Sequence, residues 1–403
     1  MKKALVLCAV VPHILLLEKL KDRGYYTLVA DMNPNAPAVP YADEFICESA
    51  MDKEAMLRAA AEREVDLVIA SCSEQANSVC CYVGEKLGLP HPYSYETSLD
   101  VTDKGRMKKL FAKGGVTSSD FMLFGSCDEL KNCRLPFPLV VKPVDAYSSK
   151  GVRKVENQDE LLKYAEAALK ISRSGRGIVE GYCPGTEIQV DCVAINGKAT
   201  VLMTRSKRTL SQDAIELNSS GSVVPADISE AENEQAAELA QRIADSFGLV
   251  NTPFFYQARL NNGIINVLEF APRIGGGLSF QMIRRATGVD IMELSIKSFL
   301  GEEMSLDGRF DAPKHISTLL MYMEPGVFGE VTGLEDLLAD GTVDYGAVLK
   351  RRGDPIDDNR TSSNRIATLL MSAGSEQELN KKTEEVLKRI DIVDINGISR
   401  MAR

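Results

Sequence analysis

FFYQARLNNGIINVLEFAPRIGGG, residues 254–277, holds two runs rich in β-branched and aromatic residues, 254–260 and 264–270, on either side of Asn261-Asn262-Gly263. That pattern predicts a β-hairpin. Gln257 lies six positions before Gly263 and Glu269 six after it. A hairpin centred on the glycine sets the two directly opposite, with Cβ atoms about 5 Å apart. A carboxylate beside an amide oxygen suits a hard cation such as Mg²⁺, which takes few protein ligands and fills its shell with substrate phosphates and water. Arg273 follows just past the second run, and its planar fork of donors suits a phosphate or carboxylate. An ordinary hairpin with exposed polar residues would read the same way, so the rest of the chain decides.

Upstream, residues 4–10, 26–30, 45–47 and 66–70 read as buried strands alternating with helices at 14–21, 52–62 and 74–87. Strand–helix alternation with short connections predicts a parallel sheet covered on both faces. The first turn reads Cys8-Ala-Val-Val-Pro-His13 and lacks GxGxxG, which disfavours a dinucleotide site because those glycines permit close pyrophosphate approach. His13 reads as a loop or capping residue. Gly88-Leu-Pro-His-Pro92 marks a boundary, after which Thr102 or Asp103 caps a helix over 104–113 with Met107, Leu110 and Phe111 as its apolar stripe. Residues 139–142 form a strand, and 145–152 (DAYSSKGV) a small-residue loop. Backbone N–H groups, serine hydroxyls and a lysine in such a loop can fold over phosphates. Asn157-x-x-Glu160 and Ser229-x-x-Glu232 read as capping boxes. Strands are expected at 177–182, 187–195 and 198–203, and residues 216–225 as a flexible polar connection reaching the active site, preceded by Arg205, Lys207 and Arg208. Helices follow at 279–285 and 291–300. A last region adds strands at 317–323 and 365–372, a helix at 376–390 and a short strand near 392–395.

Composition narrows the function. The 403 residues exceed one compact core, and the 44% hydrophobic and 26% charged fractions are those of an ordinary globular protein. A net charge of −10 with no sustained basic stripe argues against a nucleic-acid surface. Nine cysteines without CxxC spacing read as reduced thiols, with Cys80-Cys81 at buried helix positions. Lys2-Lys3 and the apolar 4–17 resemble a signal peptide, but Pro12-His13 interrupts the run and no small-residue cleavage site precedes Glu18-Lys19. No apolar stretch reaches the ~20 residues of a membrane span. The expectation is a cytoplasmic protein with no membrane partner.

Lys104 at a helix start, Lys142-Pro143, Ser148-Ser149-Lys150-Gly151-Val152, Glu180 with Glu187, and Gln257 with Glu269 stand in that order. The ordered set resembles the ATP-grasp superfamily, in particular carboxylate–amine ligases related to biotin carboxylase, carbamoyl-phosphate synthetase halves and the purine-pathway ligases. The resemblance covers nearly the whole chain. It implies an α/β protein, α+β in its ATP-binding part. A Rossmann-like domain over 1–101 would precede an ATP-grasp domain over 102–305 with a lid at about 115–182. An α+β region over 306–403 would pack on the ATP-grasp domain.

The resemblance also implies roles. Lys104 and Lys142 would contact ATP phosphates, and the loop with Ser148, Ser149, Lys150, Gly151 and Val152 would close over them. Glu180, Gly181 and Tyr182 would form the hinge strand at the adenine edge, and Glu187, seven positions past Glu180, would bind the ribose. Gln257 and Glu269 would hold one or two Mg²⁺ ions, and Arg273 would stabilise the transferring phosphoryl group. Two departures stand out: Ala271 replaces the family's further Asn ligand, and Gln257 stands where glutamate is commoner. The implied activity is ATP-dependent joining of a small carboxylic acid to an amine or amino acid through an acyl phosphate, with a homodimer as the family-level expectation. A glycinamide ribonucleotide-type ligase is the alternative within the same chemistry. A non-catalytic nucleotide-binding subunit is the alternative outside it.

Overall fold

The structure is a computed structural model that describes residues 1–146, 150–209, 219–306, 315–358 and 364–402. The N-terminal strands Lys3–Leu7, Tyr26–Ala30, Glu44–Ile46 and Leu67–Ile69 form one four-stranded sheet, all pairs parallel, with Lys3–Leu7 and Tyr26–Ala30 in the middle. Helices Pro12–Asp22 and Lys53–Glu62 connect strands of this sheet, and Glu74–Leu87 follows its last strand. The first helix begins two residues earlier than the sequence pattern suggests, because Pro12 occupies a first-turn position where a missing N–H costs nothing. His13 is therefore a buried helix residue, not a loop residue. Its Nε2 accepts from Ser71 N at 3.3 Å, and burial pushes its pKa down to about 4. Cys80 and Cys81 are buried in Glu74–Leu87, and all nine cysteines are free. Two helices go unseen in the sequence pattern: Tyr95–Thr102, capped by Ser94 accepting from Thr97 N at 3.0 Å, and the short Leu334–Ala339. No helix among the described residues is long and apolar enough to cross a membrane.

An eight-stranded antiparallel sheet dominates the rest. Its order is Ile264–Ala271, Thr252–Asn261, Thr186–Ile195, Lys198–Thr209, Ser219–Val224, His315–Met321, Ala367–Ala373, Tyr345–Val348. The last three strands belong to the C-terminal region, so that region continues the large sheet instead of stacking against it. Lys198–Thr209 extends six residues beyond the expected strand, and the expected flexible connection is a strand from Ser219 onward. The longer strand has a clear cause: Arg205 and Lys207 are answered by carboxylates on the neighbouring strand, which makes charged residues acceptable in mid-sheet. Residues 216–218 lie outside the described residues. A separate antiparallel sheet, Phe121–Phe124, Gly177–Gly181, Leu139–Pro143 and Arg153–Val155, is covered by helix Gln158–Ile171.

The opening hairpin is present, with a feature that the sequence did not disclose. Asn262 and Gly263 both take positive φ (51° and 78°), the two-residue turn that suits strand twist. Residues pair from Asn261↔Ile264 to Ala258↔Val267, a register that would set Gln257 against Leu268. A bulge between Gln257 and Ala258 shifts it by one, so Gln257 faces Glu269. Were the register not shifted there, Glu269 would stand opposite Tyr256 and point to the other face.

Candidate functional site

Sheet register gathers the polar residues. Gln189, Gln257 and Glu269 are neighbours across three strands, and Asp191, Phe255 and Ala271 form the next row on the same face. One row the other way, Glu187 meets Lys207 at 2.7 Å and Arg259 at 3.4 Å. Gln189 Nε2 donates to Asp191 Oδ1 at 2.8 Å, and Arg205 Nε lies 3.4 Å from Asp191 Oδ2. Arg205 Nη2 donates to Ser279 Oγ at 2.6 Å. Burial raises the Asp191 carboxyl, and Arg205 only partly offsets it. Gly275 closes this corner: a Cβ there would come within 2.6 Å of Gln189 Nε2 and Ser279 Oγ, so no larger residue fits.

The small sheet contributes a second knot. Glu180 is 3% exposed, with Lys142 Nζ 2.8 Å from Oε1 and Lys108 Nζ 3.3 Å from Oε2. Burial pushes the Glu180 carboxyl up, but the two lysines outweigh it and hold the pKa at about 2. Lys108 also donates to Ser118 Oγ, which in turn donates to the Val267 carbonyl of the hairpin. The N–H groups of Gly181 and Tyr182 donate to Asp120 O (3.0 Å) and Pro138 O (3.1 Å), so these two donors are engaged inside the sheet.

Lys104 starts the helix Lys104–Lys113, whose N-cap Asp103 accepts from Gly105 N and Arg106 N. Its Nζ donates to Ala146 O at 2.7 Å, at the root of the small-residue loop. Burial lowers the Lys104 ammonium pKa against the pull of Glu269, and Lys142 lowers it further. Lys150 is exposed on that loop and Val152 half-buried. Gly151 has φ 76° and a Cβ there would meet Ile171 and Pro143 at 2.9 and 3.0 Å, which pins the loop's far end to the sheet. Ser148 and Ser149 lie outside the described residues.

Arg273 completes the cluster. Its guanidinium stacks over the Phe255 ring at 4.9 Å and donates to Ile274 O at 2.6 Å. Its Nη2 donates to Glu74, the first residue of helix Glu74–Leu87 in the N-terminal sheet domain. Burial raises the Glu74 carboxyl, but Arg273 prevails and holds it below the usual range.

Lys104, Lys142, Arg273, Gln257 and Glu269 thus converge between the eight-stranded sheet, the small sheet and the helix that follows the N-terminal sheet. One carboxylate and one amide oxygen, with Gln189 alongside, match a Mg²⁺ ion that completes its shell with phosphate oxygens and water. Among the described residues no group of three or more His, Cys, Asp or Glu is gathered to hold a metal. Lys108, Gln189, Asp191 and Glu74 were missed by sequence reasoning. Lys108 carried a signal, since 104, 107, 108 and 111 share one helix face. Gln189 and Asp191 carried one too, alternating with Glu187 along one strand. Glu74 carried none.

Residues 135–281 match the ATP-grasp domain family. The carbamoyl phosphate synthase large chain of Thermoanaerobacter sp. is 27% identical over 220 residues, which is 52% of this chain and 20% of that protein. The chain therefore spans about one fifth of the length of the curated relatives of that kind. Among solved structures, the L-amino acid ligase from Bacillus licheniformis superposes with a TM-score of 0.83 at 22% identity, covering 98% of this chain and 99% of that one. Phosphoribosylglycinamide synthetase from Anaerococcus prevotii gives 0.78 at 18% identity, covering 98% and 99%. These likenesses establish a shared fold.

Proposed function

From an ATP-grasp domain that occupies residues 135–281, we propose an ATP- and Mg²⁺-dependent ligase that activates a small carboxylic acid as an acyl phosphate and joins it to an amine or amino acid. The observation that carries this reading is the convergence of Lys104, Lys142 and Arg273 on the face that bears Gln257 and Glu269. Phosphoryl transfer to a carboxylate asks little covalent help of a protein, so positioning and charge neutralisation supply most of the catalysis.

In this reading Lys104 and Lys142 bind the phosphates, and residues 150–152 anchor the loop that covers them. Lys142 leaves one oxygen of Glu180 to do so, while Lys108 keeps Glu180 ionised and in place. Glu187 accepts from the ribose hydroxyls, its carboxylate already oriented by Lys207 and Arg259. Gln257 and Glu269 hold Mg²⁺, which neutralises charge on the terminal phosphates. The substrate carboxylate oxygen attacks the γ-phosphorus and ADP leaves. The amine nitrogen then attacks the acyl carbon, phosphate leaves and the nitrogen loses its proton. Arg273 steadies the oxygens of the acyl phosphate. Closure over this site excludes water, which would otherwise hydrolyse that intermediate.

The division into 1–101, 102–305 and 306–403, with 115–182 as the closing lid, belongs to the same reading. So do a homodimer and a cytoplasmic location, the latter supported by nine free thiols. Trapping tests the reading: with ATP, Mg²⁺, the acid substrate and hydroxylamine, a hydroxamate should accumulate in step with ADP. ADP released without hydroxamate, across a broad panel of acids, would contradict an acyl phosphate.

A further inference from the structure

Arg273 is the residue on which a substrate carboxylate would dock, yet its guanidinium already holds one carboxylate. Glu74 reaches it from the N-terminal helix. The Arg273 side chain is 9% exposed and its Nε has no hydrogen-bond partner. A second carboxylate arriving there must share Arg273 with Glu74 or displace it. Either way a half-buried carboxylate loses much of its counter-charge, and an unpaired charge in such a place is strongly unfavourable. Lys104 is near enough to influence Glu74 electrostatically, but its ammonium is tied to Ala146 O and is needed by the phosphates.

The substrate can resolve this itself. A ligand with a carboxylate and an ammonium on the same carbon presents an anion to Arg273 and a cation to Glu74, converting one ion pair into two. A second acceptor stands ready: Asn77, three residues along the same helix and so on the same side, is 1% exposed and its Oδ1 has no partner. Its Nδ2 donates to the Tyr93 hydroxyl at 3.4 Å, and that hydroxyl in turn feels the charge of Arg273, which places this group beside the same cleft.

We infer that the carboxylate-donating substrate is an α-amino acid whose ammonium is read by Glu74, with Asn77 as a further acceptor, so that the N-terminal domain sets acid specificity. This rests on the ligase reading for the position of the carboxylate. Discrimination between an amino acid and its des-amino acid should exceed about tenfold, as expected when one partner of a buried charge pair is missing.

The test is isothermal titration of the full chain, with Mg²⁺ and a non-hydrolysable ATP analogue, against the common amino acids and each one's des-amino acid. Wild type should prefer an amino acid at least about tenfold, Glu74→Gln should bring the ratio close to one, and Glu74→Asp, which keeps the charge, should retain it. Melting curves confirm that each variant is folded, and Asn77→Ser serves as the second probe, with a smaller loss of the same ratio. Equal binding of the two acids by wild type, or an unchanged ratio in Glu74→Gln, would overturn the inference. Because binding needs no turnover, amino-acid binding without any ADP release would sink the ligase reading alone. ADP release with des-amino acids only would sink this inference alone.

Discussion

Glu180 and Arg273 are both buried charges in one cleft, but they are satisfied from opposite directions. Glu180 sits on Gly177–Gly181, paired with the strand that carries Lys142, and its other lysine comes from the helix next to the same small sheet. Arg273 takes its partner from residue 74, 199 positions away and in another sheet domain. The first cluster closes within the nucleotide-binding half. The second closes only through packing of the N-terminal sheet and its helices against the rest, which the Lys19–Asp290 and Arg23–Glu302 pairs (2.8 and 3.0 Å) help to secure. The comparison teaches that changes around Glu180 should act on folding and nucleotide binding together. Changes around Arg273 and the hairpin should act on substrates while the fold survives.

The largest expected effect is on the Glu180 side. Glu180→Ala strands Lys108 and Lys142 in the interior and should cost about 3–5 kcal/mol of stability, read from urea unfolding. A variant that unfolds like wild type would erase the distinction between the clusters. The pH dependence carries the same information. The Glu180 carboxyl is lowered from 4.5 to about 2 in the fold, so its contribution is complete above pH 4.5 and is lost as the pH falls from 4.5 to 2. Glu180→Gln should remove that part of the acid-induced loss in a pH series of melts.

Next comes the hairpin. Glu269→Gln removes the only formal negative charge of the Gln257–Glu269 pair and should lower kcat by at least about 100-fold, with an unchanged melting temperature. Full activity would remove the metal assignment. The smallest effect is expected at Glu187→Ala, which should weaken ATP binding about tenfold through lost ribose hydrogen bonds. Lys207 and Arg259 then lose their shared partner, so a modest drop in stability should accompany it. Unchanged ATP affinity would remove Glu187 from the ribose.

What the sequence disclosed follows the same division. Local signals were readable: Asp103, Asn157 and Ser229 cap the helices they were expected to cap. Only Ser229 forms the full reciprocal box, since Glu160 turns back to Glu156 N instead of Asn157 N. The Gln257–Glu269 pair was read correctly from a symmetric count about Gly263, although the turn centres between Asn262 and Gly263 and the bulge makes up the difference. Lys198–Thr209 was read too short, because its charged end looked like a loop until Glu187 and Asp191 on the next strand supplied partners. The continuation of the large sheet into the C-terminal region and the reach of Glu74 to Arg273 depend on contacts between distant segments, which no local pattern encodes.

The most direct measurement is ADP release with Mg²⁺ in a crossed matrix of carboxylic acids against amines and amino acids. The account predicts sustained ADP and phosphate release only where one acid and one amine are present together, with one amide formed per ADP. Nucleotide binding without release of ADP anywhere in the matrix, or release that ignores both substrates, would contradict it.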